Sequence, residues 1–395
     1  MAPSVTTIDD ARRIVLRAVR PLASEAVPVA DALGRVLARD VIAARDVPPF
    51  SNSAMDGFAL VAGPAGRSFA VVGESRAGRP ADRAVGDGEA IRISTGAVVP
   101  AGADAVVRVE DTAESNGRLE VRAAVAPGDN LRGPGEDVPK GATVLTAGTK
   151  LGPAELGVAV SAGVAELPCA RRPRVAVLAT GDELVEAGGA LAPGQIHNTN
   201  GVALAALAAR AGAEVILQAT VADDRAATDA ALAGALDAAD VVLVSGGISV
   251  GPHDHVKPAL TGLGVQERFW RVELKPGRPT WFGVRGDTLV LGLPGNPVSA
   301  FVTFVLFAAP ALRALQGAPA LLPRRHARLS EPVAKLAERE QAVRVRVDER
   351  ADGVVATPTG AQGSHRLSSM LGAGALAMVP AGEGTASDAD LEPLI

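Results

Sequence analysis

Four short segments carry side chains whose types and spacing suit the binding of anions. In Ala179-Thr180-Gly181-Asp182-Glu183-Leu184 a hydroxyl, a glycine and two adjacent carboxylates follow an apolar run. Carboxylates in that setting suit Mg²⁺ or ribose hydroxyls, and equally the first turn of a helix. Ser245-Gly246-Gly247-Ile248-Ser249-Val250-Gly251 combines three glycines with two serines, so backbone N–H groups can approach a phosphate closely. It contains neither G-x-G-x-x-G nor the P-loop pattern with its lysine, which removes the main support for ordinary dinucleotide or nucleoside-triphosphate binding. Lys275-Pro276-Gly277-Arg278-Pro279 sets two permanent cations three residues apart on a stiff turn, a spacing suited to clamping a tetrahedral oxyanion. Leu293-Pro294-Gly295-Asn296-Pro297-Val298-Ser299 reads as a strand-to-helix junction with Asn296 as N-cap and Pro297 as the first helical residue. Ser299 falls in the first turn, where free amides and the helix dipole attract anions.

Other polar segments say less on their own. Asp254 lies between His253 and His255, but no third His or Cys is near in sequence, so a solvated loop is the better reading of the histidines. Pro48 to Phe58, Ser94-Thr95-Gly96 and Gly133-Pro134-Gly135-Glu136-Asp137 are each what a turn requires. His197, His326 and His365 read as surface or core histidines, and Cys169 beside Pro168 as a linker residue.

The elements that must position these segments follow from apolar periodicity. Arg174 to Ala179, Glu214 to Thr220, Val241 to Val244 and Leu289 to Leu291 are strand-like runs. Between them, 201–210 and 224–238 have helical spacing, with Asn200 as candidate N-cap and Gly212 just past the end of the first. Val298 to Leu315 forms a further long helix. This alternation predicts a doubly wound parallel sheet, whose ligands lie at the carboxyl ends of the strands, where all four segments fall. Upstream, Asp9 to Leu37 reads as two short helices, and 47–138 as a β-rich unit with runs near Phe69, Ala90, Ala105 and Leu119. Helical texture returns at Thr143 to Ser161, so the β unit is expected as an insertion into a helical one. Short strands near Arg344 to Val347 and Gly353 to Thr357 predict a small C-terminal β unit. The expected boundaries are 1–46 and 139–172 for the helical linking domain, 47–138 for the insertion, 173–320 for the α/β domain and 321–395 for the last.

Composition bounds the partners. The chain has 395 residues, 48% of them apolar, enough for several buried cores. A net charge of −5 without a basic run argues against a nonspecific nucleic-acid surface, and 3% aromatics with no Tyr leave little for base stacking. A lone cysteine excludes an intramolecular disulfide framework and suits a reducing compartment. With no apolar signal core and no unbroken apolar run of about 18 residues, the expected location is cytoplasmic, with no membrane partner.

Taken jointly, P-P-F-S-N-S-A-M-D-G-F, S-T-G, G-E-D, A-T-G-D-E-L, S-G-G-I-S-V-G, K-P-G-R-P and L-P-G-N-P-V-S, in that order, resemble the molybdopterin molybdenumtransferases, the family that includes the gephyrin E domain. The resemblance covers nearly the whole chain. It implies that the α/β domain binds molybdopterin, and that the protein is an elongated homodimer with sites shared between subunits. The implied reaction joins adenylylated molybdopterin and molybdate, releasing AMP with a divalent cation, Mg²⁺. Lys275, Arg278 and Ser299 then become candidates to hold molybdate, and the resemblance adds Arg344 and Ser364. It assigns Asp182, Glu183 and Asp254 to metal and pterin-nucleotide binding, and Asp56, Thr95, Glu136 and Asp137 to loops reaching across the dimer, Glu136 and Asp137 as metal ligands. Thr180, Gly181, Ser245, Gly246, Gly247, Ser249, Gly251, Pro294, Gly295, Asn296 and Pro297 complete the expected binding set. Two departures stand out: Arg278 replaces the usual second lysine and keeps the charge, and His255 stands where Tyr is common. The related molybdopterin adenylyltransferases, also possible partners, use similar T-G-D-E and S-G-G motifs but resemble the α/β unit alone. A non-catalytic scaffold is the third reading.

Overall fold

The computed structural model describes residues 6–248 and 254–394. Helix α1, Ile8–Ala18, starts where Thr7 accepts the Asp10 N–H and buries Ile8, Ala11 and Val15 at helical spacing. The second helix expected before Leu37 does not form. Ser24–Pro28 is instead a strand pairing antiparallel with Glu166–Ala170, followed by one 3₁₀ turn, Val29–Asp31. Proline at both ends of this stretch denies a helix its N–H donors, and Val27, Leu37, Leu151 and Leu167 gain a shared core from the extended arrangement. Thr143–Leu145 is likewise a strand, paired with Val41–Ile42, and helix α2 occupies only Pro153–Ser161. The linking unit is therefore mixed α and β rather than helical.

Between its two halves lies a six-stranded sheet: β1 Gly57–Leu60, β2 Ser68–Ser75, β3 Glu89–Ile93, β4 Ala105–Arg108, β5 Thr112–Ser115 and β6 Arg118–Val121. Their order is β4-β1-β3-β2-β6-β5, with Phe58, Leu60, Phe69 and Leu119 in its core.

The α/β unit comprises β7 Arg174–Thr180, α3 Thr199–Arg210, β8 Glu214–Val221, α4 Arg225–Ala238, β9 Val241–Ser245, α5 Val256–Gly262, β10 Gln266–Trp270, β11 Trp281–Arg285, β12 Thr288–Leu293 and α6 Pro297–Leu315. The sheet runs β8-β7-β9-β12-β11-β10. Its first four strands are parallel, as expected, but β11 pairs antiparallel with β12, and β10 antiparallel with β11. The tight turn at Gly286, with φ +57°, returns the chain directly from β11 to β12, and such a hairpin cannot make parallel neighbours. Alternate strand residues face opposite layers: Val175, Val177, Leu243 and Leu291 pack with α3 and α6, and Ala176, Leu178, Val242 and Val244 pack with α4 and α5. By length and apolar composition α6 could cross a bilayer, yet 83% of that window is buried inside the molecule. Asn198, not Asn200, caps α3, its side chain accepting the Gly201 N–H.

The C-terminal sheet holds β13 Arg325–Ala334, β14 Glu340–Arg350, β15 Gly353–Pro358, β16 Ala375–Val379 and β17 Thr385–Pro393. Leu274–Lys275 of the α/β unit adds to its edge beside β14. That pairing fixes the cationic turn to the C-terminal unit as well as to its own.

Candidate active site

A cleft of about 930 Å³ opens at the carboxyl ends of β7, β9 and β12. The first two exits meet through Thr180 and the glycines. Gly246 and Gly247 adopt φ +92° and +61°, and a Cβ on Gly246 would lie 2.7 Å from the Thr180 carbonyl oxygen. The backbone can pass this close only without side chains. The Thr180 hydroxyl is buried in the cleft wall and has no hydrogen-bond partner among the described residues. Buried hydroxyls are normally paired, so an orphan lining a cleft is a candidate ligand contact. Asn200 joins the other exits: its amide donates to Ser245 Oγ at 2.8 Å and to the Gly295 carbonyl at 2.7 Å. Glu183 and Asp254 also line the cleft, and Leu184, Leu191 and Ile196 give it an apolar side.

A second pocket of about 540 Å³ adjoins the first. Lys275, Arg278 and Arg339 line it together with Ser299 and Ser364. The cationic turn is rigid. A Cβ on Gly277, at φ +120°, would lie 2.5 Å from Thr303 of α6, and the Gly277 carbonyl accepts the Thr280 hydroxyl at 2.6 Å. Two exposed cations are thereby held on a buried frame of Pro276 and Gly277. Arg339, on the Leu336–Arg339 bridge of the C-terminal unit, supplies a third.

The two pockets share a wall built from 294–297 and 362–365. Asn296 borders both, Ser364 faces the cationic pocket and His365 the cleft. The Ser364 carbonyl accepts the Val298 N–H at 3.1 Å. Pro297 has no N–H, so Asn296 and Ser299 are the tip amides left for an anion, fewer than the sequence suggested. Arg344 supports the wall from behind. It is 1% exposed, and its guanidinium donates to the carbonyls of Gln362 and Gly363, each at 3.2 Å, and to Ser369 Oγ at 3.1 and 3.0 Å. Burial without a compensating acid pushes its pKa down to about 10. Expected at the ligand, Arg344 instead lines neither pocket and orders the loop between them.

Three comparisons bear on this architecture. Residues 6–163 match the MoeA N-terminal region (domain I and II), residues 176–314 a probable molybdopterin binding domain, and residues 326–388 the MoeA C-terminal region (domain IV). A molybdopterin molybdenumtransferase of Haemophilus influenzae is 40% identical over 79% of this chain and 78% of its own. A molybdopterin molybdenumtransferase 2 of Mycobacterium tuberculosis is 38% identical over 95% of both chains. The chain belongs to the molybdopterin molybdenumtransferase family. The crystal structure of the molybdopterin biosynthesis moeA protein from Pyrococcus horikoshii superposes with a TM-score of 0.84 at 29% identity, covering 98% of this chain and 99% of that one.

In this molybdenumtransferase-family chain, the α/β-domain positions Thr180, Gly181, Glu183, Ser245, Gly246, Gly247, Asp254, Gly295, Asn296 and Pro297 come together at the cleft, and Lys275, Arg278, Pro294, Ser299 and Ser364 at the cationic pocket. Ser249 and Gly251 lie outside the described residues. Asp182 is not among the cleft-lining residues; its carboxylate accepts the Asp223 N–H at 3.0 Å, because the strand exit turns it toward the next loop. The upstream acids serve their own turns. Asp56 accepts from Thr95 N–H at 2.7 Å and from its hydroxyl at 3.1 Å, and Glu136 accepts the Gly133 N–H at 2.9 Å. None of Asp56, Thr95, Glu136 and Asp137 lines either pocket of the single chain. Among the described residues no three His, Cys, Asp or Glu side chains gather as a metal ligand set, so the five acids assigned to metal do not form one site within a chain.

Sequence reading missed Asn198, Asn200, His365 and Arg339. Asn200 reads from the sequence as the N-cap of α3, a task that Asn198 performs, and only the partners of Asn200 reveal that it joins two strand exits. His365 carried no local signal beyond its place in a Gly- and Ser-rich loop. Arg339 is one of several charges in 335–340 and becomes distinctive only once Leu274–Lys275 pairs with β14.

Proposed function

We propose that this protein inserts molybdate into adenylylated molybdopterin and releases AMP. The observation that carries this reading is the shared wall: a pocket with three cations lies directly beside a larger, glycine- and hydroxyl-lined cleft, and Asn296 belongs to both. Molybdate is a tetrahedral dianion, which Lys275, Arg278, Arg339 and the Ser299 hydroxyl are placed to hold by charge-assisted hydrogen bonds. The cleft suits a nucleotide. Its backbone at Gly246 and Gly247, the Thr180 hydroxyl and the Asn200–Ser245 pair meet the phosphates, and Leu184, Leu191 and Ile196 offer a surface for a flat ring. Binding both guests across one wall brings the oxoanion to the pterin while the adenylate stays in reach of the strand exits, so proximity supplies a large part of the rate.

Mg²⁺ commonly uses one or two carboxylates together with substrate phosphates, a demand Glu183 and Asp254 could meet, and when bound it neutralises phosphate charge. The four-part division of the chain into 1–46 with 139–172, 47–138, 173–320 and 321–395 belongs to the same proposal. So does a homodimer in which Asp56, Thr95, Glu136 and Asp137 complete the partner's cleft.

The deciding experiment mixes purified protein with adenylylated molybdopterin, Mg²⁺ and molybdate. Molybdate-dependent AMP release supports the transferase. ATP consumption with free molybdopterin would instead assign an adenylyltransferase, and neither activity would leave a scaffold.

A further inference from the structure

We propose that Lys257, stacked on Trp270, is a positioning residue that holds the start of α5, and with it Asp254, at the nucleotide cleft; this rests on the reading of the cleft given above. Helix α5 has seven residues, too few to be stable by its own hydrogen bonds. Val256, Ala259 and Leu260 anchor one face against Ile248, Val265 and Trp281. Val256 and Ala259 belong to the first turn, which follows closely on Asp254, a residue lining the cleft, so whatever holds that turn also places Asp254.

Lys257 adds a charged tie to the same turn. Its Nζ sits 3.6 Å from the centroid of the Trp270 ring and 3.5 Å from Glu267 Oε2. The same Glu267 oxygen accepts the Trp281 indole N–H at 2.5 Å, and Trp270 and Trp281 face each other across β10 and β11. The first turn of α5 is thus tied to the last two strands of the sheet by one cation, two indoles and one carboxylate.

Two unfavourable features persist around this ring. The Trp270 N–H is buried with no partner among the described residues, although buried indoles normally find one. Arg271, which brings a second cation to 4.2 Å from the ring centroid, adopts φ +73°, a left-handed backbone rare outside glycine. Local costs of this kind survive where surrounding contacts over-determine them. The feature gained is the ring face, which a cation uses and an N–H donor does not.

The test titrates AMP, and separately tungstate as a probe of the cationic pocket, into the full-length protein and its Lys257→Met, Lys257→Arg and Trp270→Phe variants by calorimetry. Amide exchange across α5 is followed in parallel. Lys257→Met should weaken AMP about tenfold, equivalent to about 1.4 kcal/mol, and speed exchange at Ala259 and Leu263. Tungstate affinity should stay at the wild-type value, and Lys257→Arg should restore AMP. Trp270→Phe should weaken AMP without lowering the melting temperature, since it removes the orphan donor. AMP affinity equal to wild type in Lys257→Met and Trp270→Phe overturns the inference, as does equal loss of both ligands. If the wild-type protein binds no AMP, the reading of the cleft fails, and α5 exchange alone decides the anchor: faster in Lys257→Met keeps it, unchanged removes it.

Discussion

The Ser364 carbonyl accepts the Val298 N–H at 3.1 Å, joining a loop of the C-terminal unit to the tip of α6. That bond closes the wall between the two pockets, and the loop carrying Ser364 is itself held by Arg344 through the Gln362 and Gly363 carbonyls. Arg344→Gln should therefore raise the KM for molybdate about tenfold while changing kcat less, because Ser364 loses its fixed place. It should also cost about 1–3 kcal/mol of stability through carbonyls left unpaired. Arg344→Lys keeps the charge but not the fork, so it should restore stability better than KM. Steady-state kinetics and thermal melting separate the two. An unchanged KM in Arg344→Gln would show that the loop needs no such support.

The cationic pocket predicts an order of effects. Hydrogen bonds to charged groups contribute about 1.5–3 kcal/mol, so Lys275→Ala, Arg278→Ala or Arg339→Gln should each weaken tungstate binding by roughly one to two powers of ten. AMP affinity should stay near wild type, since the three cations line the second pocket and not the cleft. Equal loss of both ligands would mean a single undivided site.

Thr180 permits a test in which stability and binding move in opposite directions. Its hydroxyl is buried and unpaired among the described residues, so Thr180→Val removes an unsatisfied group and should leave the melting temperature equal or higher. The same change should weaken AMP several-fold if a ligand oxygen or hydroxyl completes that hydroxyl's bonding. Weaker AMP binding accompanied by a lower melting temperature would instead mark Thr180 as a packing residue.

Much of this arrangement is legible in the sequence, and the part that is not has a definite physical origin. Strands β7, β9 and β12 are buried on both faces, so their continuous Val, Leu and Ala runs announce themselves, and the half-buried edge strand β8 still carries an apolar run. The glycines at 246, 247 and 277 mark close backbone approaches that no other residue allows. Ser24–Pro28 misleads because its pairing partner, Glu166–Ala170, is more than a hundred residues away and no local pattern reports it. Arg339 and Arg344 show the same limit at the site. Five residues apart on one strand and its approach, they differ in exposure, one lining the cationic pocket and one buried behind its wall, and only the tertiary fold tells them apart.

Acid should weaken the contact where the linking unit meets the α/β sheet. Asp240, just before β9, is partly buried, which pushes its carboxyl up, but paired donors from Arg171 at 2.7 and 2.9 Å and the Arg174 N–H at 2.7 Å outweigh burial and hold it below its ordinary value. A carboxylate with a depressed folded pKa contributes stability above its unfolded value of about 3.9, and that contribution is lost as pH falls through the lower folded value. Asp240→Asn should cost about 1–3 kcal/mol at pH 7 and flatten the acid limb of a stability profile. Urea melts between pH 3 and 7 measure both, and parallel wild-type and variant curves would remove Asp240 from the account.

The remaining prediction concerns Asp56. Its carboxylate is spent on Thr95 within its own chain, and it lines neither pocket there, so any catalytic effect must come through a neighbouring subunit or through the shape of its loop. Asp56→Asn keeps an acceptor for Thr95 and should leave stability within about 0.5 kcal/mol of wild type, as expected for an exposed polar change. If the loop completes the partner's cleft, Asp56→Asn and Glu183→Gln chains should each be weakly active alone. Mixed after co-refolding, they place both defects in one of the two sites of a heterodimer and leave the other intact. Half of the molecules formed from an equal mixture are heterodimers with one sound site each, so molybdate-dependent AMP release should recover to about one quarter of wild type. Activity of the mixture no higher than the mean of the two variants would place Asp56 and Glu183 in the same chain's site, or Asp56 in none.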